Sequence, residues 1–117
     1  MKWLALVLVL AACHRGEKSD PNADKPSSCI IEHDGGVTQC FEEVGQAAKR
    51  EGKQLCDRMH GKHTYRVGEA CPVDGVVASC TKRPGTDLER TEQCYRDEPA
   101  CAARCAKNEG AVYKKSY

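Results

Sequence analysis

A small, disulfide-stapled α+β fold is what this sequence predicts, and three observations predict it. Nine cysteines occur in 117 residues. Short β-prone runs flank Asp-Gly turns at Asp34-Gly35 and Asp74-Gly75, and the stretch between them carries apolar residues at helical spacing. Large apolar residues are scarce, with aromatics at 5% against 30% charged residues, so the core is thin for the length and covalent bonds have to supplement it.

The elements follow in order. Cys29 to His33 and Val37 to Cys40 form a hairpin around Asp34-Gly35. From Phe41 the spacing turns helical: Phe41, Val44, Ala48, Leu55 and Met59 share a stripe, Glu42 and Glu43 occupy the first turn, and Arg58 stands near the end. Gly61 supplies a left-handed stop, while Gly45 and Gly52 weigh against the helix by about 1 kcal/mol each. Strands are expected at His63–Val67, at Ala70–Val73, and at Val76–Cys80 after the turn at Asp74-Gly75. Thr86-Asp87-Leu88-Glu89 has the form of a capping box, which predicts a helix with Leu88, Thr91 and Tyr95 facing inward. Pro99 suits the first turn of a further short helix capped by Asp97 or Glu98.

An internal repeat runs through this order. Asp34 to Cys40 and Asp74 to Cys80 share a turn, a strand and a closing cysteine; Cys56, Gly61 and Tyr65 are echoed by Cys105, Gly110 and Tyr113. The chain is thus divided into two hairpin-helix-strand units, residues 29–67 and 71–117. Cys94 and Cys101 flank the bend at Glu98-Pro99, lack counterparts in the first unit and are expected to pair. Six cysteines then admit many pairings. A pseudo-twofold arrangement favours Cys40 with Cys80, Cys56 with Cys71, and Cys29 with Cys105.

Leu10-Ala11-Ala12-Cys13, preceded by Lys2 and an apolar run from Trp3 to Ala12, resembles the lipobox of bacterial lipoproteins. The run is too short to span a bilayer. The resemblance implies a signal peptide over residues 1–12, a diacylglycerol on the Cys13 thiol, and an acylated (palmitate-type) new amino terminus. It places the protein in the cell envelope, membrane-anchored by that lipid. His14, rather than aspartate, after the cysteine points to the outer membrane rather than the inner. Residues 13–28 hold Gly16, Pro21 and Pro26 among small polar and charged residues, and are expected to be a flexible tether. Residues 29–117 are then the folded domain, and its eight cysteines, Cys29, Cys40, Cys56, Cys71, Cys80, Cys94, Cys101 and Cys105, the disulfide candidates.

The cysteine layout also resembles small, uncharacterised cysteine-rich lipoproteins of bacterial envelopes. Cys56, Gly61, Tyr65, Cys71-Pro72 and Ser79-Cys80 carry the likeness; His60-Gly61 replaces the usual paired glycines, and Cys94 and Cys101 are additional. That resemblance brings no catalytic site.

Residue chemistry argues against most activities. Net charge is +1 with acids and bases interspersed, so no basic stripe exists for nucleic acid. Cys56, His60, His63, Cys101 and Cys105 could be assembled into a zinc site, but paired Cys-x-x-Cys knuckles are missing and an oxidising compartment favours disulfides. Cys101-Ala-Ala-Arg-Cys105 has one residue too many for a redox motif. Ser79 has no histidine placed beside it, and no glycine-rich phosphate loop occurs. No enzyme, metal or cofactor is expected. Two classes remain: an anchored binding or structural module whose partners are envelope proteins, glycans or neighbouring cells, and an inhibitor-like domain presenting Thr81-Lys82-Arg83-Pro84-Gly85 to a protease or other target. The plainer role for that loop is to connect two elements.

Overall fold

The structure is a computed structural model, and it describes residues 21–116; the signal segment, Cys13, most of the tether and Tyr117 lie outside the described residues. Eight elements follow in the order β1 (Ser27–His33), β2 (Gly36–Glu43), α1 (Gln46–Asp57), β3 (Lys62–Arg66), β4 (Ala78–Lys82), β5 (Arg90–Cys94), α2 (Glu98–Ala106) and β6 (Val112–Lys115). The strands form one antiparallel sheet in the order β3-β1-β2-β5-β4-β6. The expected α+β, disulfide-rich class is the one observed.

The repeat is present, in a different register from the one the turns suggested. Cys29 lies between Phe41 and Tyr65 across its two ladders, and Cys80 lies between Glu92 and Tyr113. The equivalent hairpins are therefore β1–β2 and β4–β5, not Cys29–Cys40 and Cys71–Cys80. Phe41 and Glu92, equivalent by this register, are direct neighbours in the central β2–β5 ladder, which marks a local twofold at the middle of the sheet. Because cross-strand neighbours share a face, the two halves present equivalent surfaces on the same side. There α1 packs on β1, β2 and β3, and α2 on β4 and β6.

Four disulfides hold this arrangement: Cys29–Cys56, Cys40–Cys71, Cys80–Cys105 and Cys94–Cys101. The expected Cys94–Cys101 bond is observed, and the other three expected pairs are not. Cys29–Cys56 and Cys80–Cys105 are symmetry mates, each tying the first strand of a hairpin to the end of its own helix. Pairing Cys40 with Cys80 is excluded by the pleat. Cys40 adjoins Phe41 in the strand and so lies on the face away from the helices, whereas Cys80 shares the helix face with Glu92. Cys71 lies in the linker that carries the chain from edge strand β3 to β4, and Cys40 pins that linker. Residues 70–73, expected as a strand, are irregular for this reason, and Pro72 could not donate to a ladder in any case.

Two further expectations change. The helix expected from Phe41 begins instead at Gln46, because Phe41, Glu42 and Glu43 continue β2 and pair with β5. Gly45 is its cap, and a side chain there would run into the Asp87 carbonyl. The helix expected at Thr86 does not form. Its capping chemistry survives as a turn, with Thr86 Oγ1 accepting from Leu88 N at 3.2 Å and donating to Arg83 O at 2.8 Å. Arg90–Cys94 then pairs with β2 on one side and β4 on the other, and Thr91 faces Thr81 at 3.0 Å on the side away from the helices. Two ladders outweigh a cap, which contributes about 1 kcal/mol.

Elsewhere the local signals are realised. Asp34 and Gly35 both take positive φ (53° and 78°), as a two-residue hairpin turn requires. Asp97 caps α2, its Oδ1 accepting from Ala100 N at 3.2 Å, and Pro99 occupies the first turn. The start of the folded part moves back from Cys29: Ser27 and Ser28 are buried in β1, and Ala23 O accepts from Gln46 and Lys49.

Cystine sulfur fills the core where aliphatic side chains are lacking. One cluster gathers Cys29, Ile31 and Cys56 with Phe41, Met59 and Tyr65; the other gathers Ala78, Cys94 and Cys101 with Val77 and Tyr113. Tyr65 Oη donates to Lys49 O near the start of α1, and Tyr113 Oη bonds Glu98 at the start of α2. The two tyrosines therefore brace equivalent helices.

Candidate functional site

The central ladder lies under the gap between the helices, and three of its helix-side residues, Glu43, Arg90 and Glu92, are charged. Glu43 is buried opposite Arg90 and bonded to its guanidinium. Glu92 is buried as well, and its Oε2 accepts from Arg104 at 2.7 and 3.0 Å and from Gln39 at 2.8 Å. Burial pushes the Glu43 carboxyl above its ordinary range, with Arg90 opposing. Each carboxylate has a guanidinium partner, so these groups act in pinning the register of β2 on β5. A paired-carboxylate catalytic site would need one acid free to meet a substrate.

On the opposite face Tyr95 Oη donates to Pro72 O, and burial together with Glu42 pushes its pKa up to about 12. Glu42 accepts from the Cys71 amide at 2.8 Å. These bonds secure the linker.

Beside the central ladder, the Lys82–Glu89 connection, α1 and the turn after α2 enclose a groove of about 530 Å³. Lys82, Arg83, Lys107, Asn108, Glu51 and Glu109 supply its polar lining, with Arg90 at the inner wall; Ala48, Leu88 and Ala111 supply apolar surface. Arg83 holds φ at +51°, rare for a side chain of this type. Its loop is braced by Thr86 on the Arg83 carbonyl and by Glu89 on the Gly85 amide at 2.6 Å. A second pocket of about 170 Å³ is apolar, formed by Phe41, Leu55, Met59 and the Cys29–Cys56 bridge and rimmed by Arg58 and Arg90.

The sulfurs in the zinc set considered above are consumed: Cys56, Cys101 and Cys105 each sit in a disulfide, and His63 lies near Asp57, 3.8 Å away. Glu92, Cys94 and Cys101 cluster closely, but two of those three atoms are the halves of one disulfide. The groove is not legible in the sequence because its parts come from three separate segments. Only Lys82-Arg83-Pro84-Gly85 stands out there.

No protein family, curated protein or solved structure matches this chain. No helix among the described residues is long and apolar enough to cross a membrane.

Proposed function

We propose that this protein is a lipid-anchored lipoprotein of the bacterial envelope, in the outer membrane, whose disulfide-stapled domain serves a non-catalytic binding or structural role. The observation that carries this reading is one of parity. All eight cysteines among the described residues pair with one another, which leaves Cys13, at the end of its lipobox-like run, outside the framework. Four disulfides also suit an oxidising compartment. Two or more acyl chains on Cys13 would hold the protein firmly, each buried methylene contributing about 0.8 kcal/mol. In the test, the full chain and Cys13→Ser are expressed in a bacterium that exports them, and membrane and soluble fractions are compared. Transfer of the variant to the soluble fraction, with acyl chains found by mass spectrometry on the wild-type amino terminus, is the expected result. A variant that stays as membrane-bound as the wild type overturns the reading.

The inhibitor-like alternative draws on the braced, strained Arg83 loop. A trypsin assay at micromolar protein separates the two, and absence of inhibition removes the alternative in its direct form.

A further inference from the structure

We infer that the groove beside Arg83 is a binding site for an acidic saccharide, a glycan bearing carboxylate or phosphate groups; this rests on the binding-module reading above and names its ligand class. Three features of the groove carry it.

The first is unsatisfied positive charge. Lys82 and Arg83, consecutive where β4 runs into its loop, and Lys107, just after α2, line the groove, and their side chains make no ion pair among the described residues. Arg90, at the inner wall, and Arg104 are by contrast matched to buried acids. Cations left unmatched around one concavity favour anionic oxygens there, and a guanidinium can grip a carboxylate or phosphate through two bonds.

The second is the mixture of acceptors with those cations. Glu51, Glu109 and the Asn108 amide share the lining. A ligand that is uniformly anionic would be repelled by the two carboxylates, whereas a sugar brings hydroxyl donors for them as well as acid groups for the cations. Leu88, Ala48 and Ala111 offer apolar surface for the faces of a ring. Basic clusters also read acidic peptides, but such a peptide fits less well here, because its carboxylates would face Glu51 and Glu109 without the hydroxyl donors that a sugar brings to them. The groove volume of about 530 Å³ falls within the range of small-ligand sites.

The third is rigidity. Arg83 is held in a left-handed conformation ahead of Pro84, and the loop is tied down by Thr86 and Glu89. Backbone strain kept in place by side-chain bonds concentrates where a side chain must be presented in one direction.

The test is titration calorimetry on the full chain, disulfides intact, in detergent. The probes are a uronic-acid trisaccharide, a phosphorylated glucosamine disaccharide, the neutral counterpart of each, hexaglutamate and inorganic phosphate. Saturable binding of either acidic saccharide with a Kd of about 1 mM or tighter is expected, and which of the two binds distinguishes the carboxylate from the phosphate source. Lys82→Glu with Lys107→Glu should weaken binding at least about tenfold, while Lys62→Glu with Lys114→Glu, the same charge change outside the groove, leaves it within about twofold. Equal binding of neutral saccharides, hexaglutamate binding as tightly, a response to phosphate alone, or no response to any probe overturns the inference. Capture of an envelope component by the full chain, unaffected by the Lys82 and Lys107 changes, would reject this ligand class while leaving the broader reading intact.

Discussion

The two halves of the sheet solve one packing problem with different chemistry. In the second half, Cys94 on β5 is bonded to Cys101 on α2. In the first, the register places Glu43 where Cys94 stands, and Gly52, four residues before Cys56, where Cys101 stands four before Cys105. A side chain at Gly52 would meet Glu43 Cγ at 2.9 Å. Strand and helix thus approach closely at both places, once through a covalent bond and once through an acid lying over a glycine. The comparison teaches that the fold requires the close approach and is indifferent to what makes it.

The largest effect expected from this comparison comes from the bridges. Loop-closure entropy assigns about 3.6 kcal/mol to a bridge spanning the separation of 27 in Cys29–Cys56 and about 2.5 kcal/mol to one spanning the separation of 7 in Cys94–Cys101. Urea midpoints of the paired alanine variants should fall in that order. The reverse order would mean that the short bridge, which has no counterpart in the first half, holds the sheet together more than chain entropy allows. Next in size is Gly52→Ala. Glu43 is locked by Arg90 and cannot swing clear, so a loss of about 1–3 kcal/mol is expected, and it should shrink in a Glu43→Ala background. Additive losses in the double-mutant cycle would break the proposed equivalence.

The smallest effect concerns pH. Burial raises the Glu43 carboxyl above its ordinary value of 4.5. A group raised in the folded state gives stability that is fully present below the unfolded value and is lost as pH rises through the folded one. Wild-type stability should therefore decline as pH climbs from about 4.5 through that raised value, and Glu43→Gln should flatten this part of the profile. An unchanged slope in the Glu43→Gln variant would assign the titration to another group.

Parts of this architecture were open to inspection in the sequence. Asp34-Gly35 set the first hairpin because its turn demands positive φ, and Asp97-Glu98-Pro99 set the start of α2 because a cap and a proline agree there. The separation of Cys94 and Cys101 around that bend gave their bond. β5 was hidden by its own polarity. Arg90, Glu92 and Cys94 alternate inward, and alternation of two charged residues suggests an outward face until Glu43, Arg104 and Gln39 are known to meet them. Pairing with Arg90–Glu92 drew Phe41–Glu43 out of the helical stripe and into β2. The repeat register failed for a related reason: Asp-Gly turns matched twice, but the second one belongs to the linker, and the true partner of the first hairpin turns through Arg83–Glu89. Of the groove only the Lys82-Arg83 loop could be seen, since Lys107, Asn108 and Glu51 join it only after the sheet is ordered.

The covalent map has a seam. Cys29–Cys56 stays within the first half, Cys80–Cys105 and Cys94–Cys101 stay within the second, and Cys40–Cys71 joins the first half to the passage between them. Backbone hydrogen bonds between β2 and β5, the Glu43–Arg90 ion pair and the Gln39–Glu92 bond above them, and a few bonds from Val44, Gly45, Ala48 and Arg96 join the halves across the middle, none of them covalent. That contact is self-complementary, the kind two copies of one ancestral half would make before a peptide connection fused them. It also means that two molecules could trade halves without opening a single sulfur bond, each rebuilding the other's sheet.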